Sequence, residues 1–113
     1  MTNNLFHKNN IFDNAIISNA DSSEETFEYL LVNDKVKIER IISSGQHTPE
    51  NEWLEQDIDE WVILLQGKST LAFHDDQSIT LSKGDYIHIP ANTKHRVEYT
   101  SSDPVCIWLA IHF

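Results

Sequence analysis

The chain has one cysteine, Cys106, so it can form no internal disulfide and no thiolate zinc cluster. Set in Pro104-Val-Cys-Ile-Trp-Leu-Ala-Ile111, that cysteine reads as a small core hydrophobe rather than a nucleophile. Basic residues are scarce: 8 Lys and Arg against 18 Asp and Glu give a net charge of −10, which repels phosphate backbones and anionic lipid. Nucleic acid and membrane are therefore not expected partners. No apolar run approaches the length that crosses a bilayer, and the start of the chain lacks the cationic and apolar regions of a signal peptide. The expectation is a cytoplasmic protein. No stretch sustains a helical period beyond a turn or two, and there is neither a repeat nor a low-complexity tract.

What is present is a series of short alternating segments in 113 residues, enough for one domain that buries roughly two thirds of its unfolded surface. Residues 1–24 are polar, with Ile11-Phe12 and Ala15-Ile16-Ile17 as their apolar clusters, and read as a partly ordered arm carrying one short strand or turn. Residues 25–113 hold the domain. Phe27 to Val32 and Lys35 to Ile42 alternate on either side of Asn33-Asp34, the signature of a hairpin. Ser43 to Asp59 is a loop or ragged strand anchored by Trp53 and Leu54. Glu60-Trp-Val-Ile-Leu-Leu-Gln66, stopped by Gly67, is too short for a typical helix and reads as the most central strand, apolar on both faces. Ser69 to His74 and Ser78 to Leu81 flank an Asp75-Asp76 turn; His95 to Thr100 and Val105 to His112 close the sheet. Strands this short, separated by turn signals, argue an all-β sandwich or barrel, and a jelly roll suits the count.

The segment from Gly84 to His95 carries the most local information. Gly84 can take a positive φ, Tyr86-Ile87-His88-Ile89 reads as a strand ended by Pro90, and Asn92 suits the left-handed region of the turn that follows. His95, straight after that turn, is held by backbone geometry and is a candidate ligand or acid/base.

These spacings resemble the cupin superfamily of double-stranded β-helix barrels. Gly84, Pro90 and His95 match the second cupin motif, with Asn92 at its inner glycine and Tyr99 at its final asparagine; Glu60 and Gly67 match the second half of the first motif. The His-x-His pair of that first motif is absent. Counting back from Glu60, its positions fall on Leu54 and Gln56 or on Trp53 and Glu55. The resemblance covers residues 36–113 and is similar in detail to small single-domain bacterial cupins.

It implies that Glu60 and His95 point into the barrel near its mouth, where a buried carboxylate needs a partner. With Gln56 or Glu55 added, two oxygens and one imidazole would suit one divalent ion, Mn, Fe, Ni or Zn; without them, Glu60 and His95 form an ion pair or hydrogen bond and no metal is held. Trp53, His112 and Tyr99 are candidates for the cavity wall, His112 only if the face of Trp108 turns inward. Trp61, Ile63 and Leu65 alternate with Val62 and Leu64 and are expected on the outer face, forming, with help from the N-terminal arm, a two-fold homodimer interface. The functional expectation is a small molecule bound in the barrel, by a metalloenzyme of the dioxygenase, isomerase or decarboxylase kind, a metal-free binding protein, or a structural one.

Overall fold

The computed structural model describes residues 6–12 and 24–113. Its regular elements are eight strands: β1 (Thr26–Val32), β2 (Lys37–Ser43), β3 (Glu60–Gln66), β4 (Ser69–Phe73), β5 (Ser78–Leu81), β6 (Tyr86–Ile89), β7 (His95–Thr100) and β8 (Cys106–His112). They make two sheets, a five-stranded one in the order β1-β2-β8-β3-β6 and a three-stranded one in the order β5-β4-β7, with every pairing antiparallel. The expected all-β jelly roll is the fold this chain adopts. Among the described residues no helix is long and apolar enough to cross a membrane.

Side-chain alternation decides the core. Val62 and Leu64 of β3 and Trp108 and Ala110 of β8 project from one sheet onto Leu71 of β4 and Leu81 of β5 from the other. Leu64 is fully buried, and a leucine so placed contributes about 1.5–3 kcal/mol of transfer free energy. Trp61, Ile63 and Leu65 lie on the opposite face and are half-buried, with the Trp61 ring 5.3 Å from that of Tyr86.

One expectation is corrected. The middle of the large sheet is β8, not β3. β8 is paired along its length by both β2 and β3, whereas β6 covers only Glu60 to Ile63 of β3. Beyond that point the ladder gives way to a turn, in which the Gly84 amide donates to the Leu64 carbonyl at 2.7 Å and the Leu64 amide to the Asp85 carbonyl at 2.9 Å.

The turns follow from the residues in them. Asn33 closes the β1–β2 hairpin with its side-chain oxygen, which accepts from the amides of Lys35 and Val36 at 2.8 and 3.0 Å. Asp76 and Asn92 take φ of 66° and 62°, the left-handed region that short polar side chains tolerate. Gly67, at φ 93°, has a second reason to lack a side chain: a Cβ there would stand 2.8 Å from Cys106 Sγ. Cys106 is a fully buried member of the core.

The described part of the N-terminal arm, residues 6–12, turns at Ile11-Phe12 and is tied to the barrel by Arg40 Nη1, which donates to the Ile11 carbonyl at 2.9 Å. The expectation for Ala15-Ile16-Ile17 lies outside the described residues. β1, at the edge of the large sheet, is conspicuously apolar for an exposed strand: Phe27, Tyr29, Leu30, Leu31 and Val32 are each 44–60 % exposed.

Candidate functional site

Three backbone anchors bring residues from distant parts of the chain to one end of the barrel. The loop before β3 is pinned to the start of β7 by paired bonds, the Leu54 amide to the His95 carbonyl at 2.7 Å and the His95 amide to the Leu54 carbonyl at 3.0 Å. The Asn92 amide donates to the Gln56 carbonyl at 2.7 Å, fixing the turn after β6 to the same loop. Asp59 then accepts from the Ala91 amide at 3.0 Å and pairs with His88 at 2.8 Å; these two bonds, His88 first, hold its carboxyl below the ordinary carboxylate value.

Glu60 opens β3 on the inward face it shares with Val62 and Leu64, between Ile89 of β6 and His112 of β8 in the ladder. His95 opens β7 in the facing sheet. The two side chains are 13 % and 7 % exposed, and His95 Nε2 stands 3.8 Å from Glu60 Oε1, outside hydrogen-bond range. His95 Nδ1 donates to the Thr93 carbonyl at 2.9 Å, and since a carbonyl can only accept, it is Nε2 that carries the lone pair in the neutral tautomer and faces Glu60. Gln56 Nε2 donates to Glu60 Oε1 at 3.0 Å. Burial lifts the Glu60 carboxyl above its ordinary value, with Glu39 adding to the lift and His112 and His95 opposing it.

Glu60 and His95 share a cavity of about 390 Å³ between the sheets, walled by Ile41, Val62, Leu71, Ile89, Val97 and Trp108. The face of β8 left undecided by the sequence is settled: Trp108 turns inward. Glu25 and Glu52 lie at this cavity with His47, and Glu25 Oε2 accepts from Ser43 Oγ at 2.7 Å.

The structure thus brings Glu60, His95 and Gln56 together and leaves other candidates apart. Glu55 is exposed on the loop. Trp53 is 39 % exposed and sets its ring edge-on to His74 at 5.7 Å, and Tyr99 is 49 % exposed; neither lines the cavity. His112 is withdrawn from the cavity wall, its Nε2 donating to Glu39 Oε1 at 3.0 Å. Sequence reasoning missed Glu25 and Glu52 at the cavity, and it missed Glu39, which is buried at 8 % exposure. Its one available signal was its parity with Ile41 on β2, which an isolated strand cannot orient.

As metal ligands these residues supply one carboxylate and one imidazole, because Gln56 turns its amide nitrogen toward Glu60. Among the described residues no three His, Cys, Asp or Glu side chains are grouped so as to hold a metal ion. The donor set does not fit a resident divalent ion, which takes more ligands than these.

The sequence matches the family described as "Cupin domain" over residues 40–112. A solved structure from Ralstonia eutropha JMP134, provisionally described as a mannose-6-phosphate isomerase, is 34 % identical with a TM-score of 0.86, covering 94 % of this chain and 96 % of that one. A cupin superfamily protein from Desulfitobacterium hafniense DCB-2 shares the fold at 24 % identity and TM-score 0.72, over 83 % of this chain and 81 % of its own. The polyketide cyclase RemF from Streptomyces resistomycificus shares it at 19 % identity and TM-score 0.67, over 80 % and 65 %. No protein of curated function matches the sequence. With the family match spanning most of the chain and the barrel built as described, this protein belongs to the cupin family.

Proposed function

We propose that this cupin binds a small molecule in the cavity between its sheets, with Glu60 and His95 as the polar end of the site. The observation that carries the reading is the cavity itself: about 390 Å³, walled by apolar side chains, with a buried carboxylate and a buried imidazole converging at one place. A carboxyl whose affinity for its proton is raised by burial, beside an imidazole with an open lone pair, is suited to exchange a proton with a bound ligand. The test is a thermal-shift screen of small acids, amines, alcohols and sugars, followed by calorimetry. A ligand that raises the melting temperature of the wild type and not that of a cavity-filling Val97→Phe variant supports the reading. A ligand that stabilises both equally removes it.

The rival is a metalloenzyme of the dioxygenase, isomerase or decarboxylase kind, with one divalent ion between Glu60 and His95. The count of donors favours the metal-free reading. We place the protein in the cytoplasm as a homodimer that contacts neither nucleic acid nor membrane; the net charge of −10 and the exposed apolar edge of β1 support that placement.

A further inference from the structure

The cavity is asymmetric in charge, and that asymmetry bears on what it can hold. We propose that it takes a small, mainly apolar molecule carrying one amine and rejects carboxylates and phosphate esters. This rests on the cavity being the binding site. Its charged lining consists of Glu25, Glu52 and Glu60, and among the described residues no Lys or Arg lines it. The nearby guanidinium groups are turned away. Arg96 sits between inward-facing His95 and Val97, hence on the other face of β7, and its Nη2 donates to the Thr48 carbonyl at 3.1 Å. Arg40, on the outer face of β2, is occupied by Glu28 and the Ile11 carbonyl. The described residues form no helix whose N-terminus could receive an anion.

Independently of charge, the polar end offers acceptors. His95 Nε2 and Glu60 Oε1 face one another at 3.8 Å, too far to bond; Gln56 donates to that oxygen from one side, and no described protein group donates to His95 Nε2. A ligand donor can serve both. An ammonium supplies several N–H groups and the charge the carboxylate lacks, so both bonds become charge-assisted. The apolar body of such a ligand would lie against Val62, Leu71 and Trp108. A phosphate ester would instead bring negative charge into a wall of carboxylates. The substrate named for the Ralstonia eutropha structure is of that unfavoured class.

The test uses chelator-treated full-length protein and four probes: phenethylamine, 2-phenylethanol, phenylacetate and mannose 6-phosphate, measured by calorimetry and melting temperature. Phenethylamine is expected to bind about tenfold or more tighter than 2-phenylethanol, the size of one charge-assisted bond, and the two anions not at all. Glu60→Gln should erase the preference for the amine, and Val97→Phe should weaken all binding. The proposal is overturned if either anion binds as well as the amine, if the alcohol equals the amine, or if none of the four binds. An anion that binds the wild type and not Val97→Phe would sink this inference alone, leaving the cavity as the site. Amine binding undiminished in Val97→Phe would remove the cavity reading with it.

Discussion

His112 Nε2 donates to Glu39 Oε1 at 3.0 Å, joining the last strand of the sheet to the second, while Glu60 stands opposite His112 in the β3–β8 ladder. One imidazole is thus flanked by two carboxylates inside the large sheet. The Glu39 hydrogen bond is the main reason the His112 pKa is raised, with burial acting against it.

Stability should therefore depend on pH with a definite sign. A histidine that holds its proton more tightly when folded stabilises fully below its unfolded value of about 6.5, and that contribution is lost as pH rises through the raised folded value. Glu60 acts in the same direction at lower pH, because its raised carboxyl also binds the proton more tightly in the native state. The urea midpoint is expected to fall as pH rises above the unfolded histidine value of about 6.5, and His112→Gln should flatten that fall. An unchanged slope in the variant would assign the dependence to other groups.

Gly67 and Gly84 separate steric from conformational demand. Both have positive φ, 93° and 90°, but a Cβ at Gly67 meets Cys106 Sγ and Cα within 3.0 Å, whereas one at Gly84 meets nothing within 4 Å. Gly84→Ala is expected to cost about 1–2 kcal/mol, the strain of a left-handed alanine. Gly67→Ala adds overpacking of about 1–3 kcal/mol to that strain. Chemical denaturation of the two variants checks the order; equal losses would refute the packing argument.

Purified protein, never exposed to chelator, is expected to carry less than about 0.1 equivalent of Mn, Fe, Ni or Zn, because one carboxylate and one imidazole make a weak site. Elemental analysis decides this. A stoichiometric ion, lost in both Glu60→Gln and His95→Ala, would restore the metalloenzyme reading.

The edge of the large sheet predicts self-association. Among the described residues β1 has no partner beyond β2; it contains neither Lys nor Pro and exposes Tyr29 and Leu31, so the register irregularity between Tyr29 and Leu31 is the main device it has against edge pairing. Light scattering should give twice the 13.1 kDa chain mass, and Leu31→Lys should shift it toward the monomer. A wild type that stays monomeric at high concentration would mean that this edge serves another partner.

Much of the architecture could be read in advance. The Asn33-Asp34 and Asp75-Asp76 hairpins, the strand stopped by Pro90 and the left-handed Asn92 all lie where local preferences put them. The convergence of Glu60 and His95 was legible only through family spacing, since 35 positions separate them along the chain. Glu39 escaped notice because Lys37-Ile-Glu-Arg-Ile41 reads as a strand with two solvated charges in its middle. Both are buried, Glu39 against His112 and Arg40 against Glu28, and no pattern within seven residues of strand reports partners so remote.

The sequence by itself determined which runs extend and where the chain reverses, because backbone torsional preference and two-residue alternation act over a few neighbouring positions. Tertiary structure alone decided that Trp108 faces the cavity, that His112 withdraws to Glu39, and that Glu25, Glu52 and Glu60 share one cavity that no described Lys or Arg lines. Those outcomes depend on register between strands far apart in the chain, and a shift of one residue would reverse the face of each.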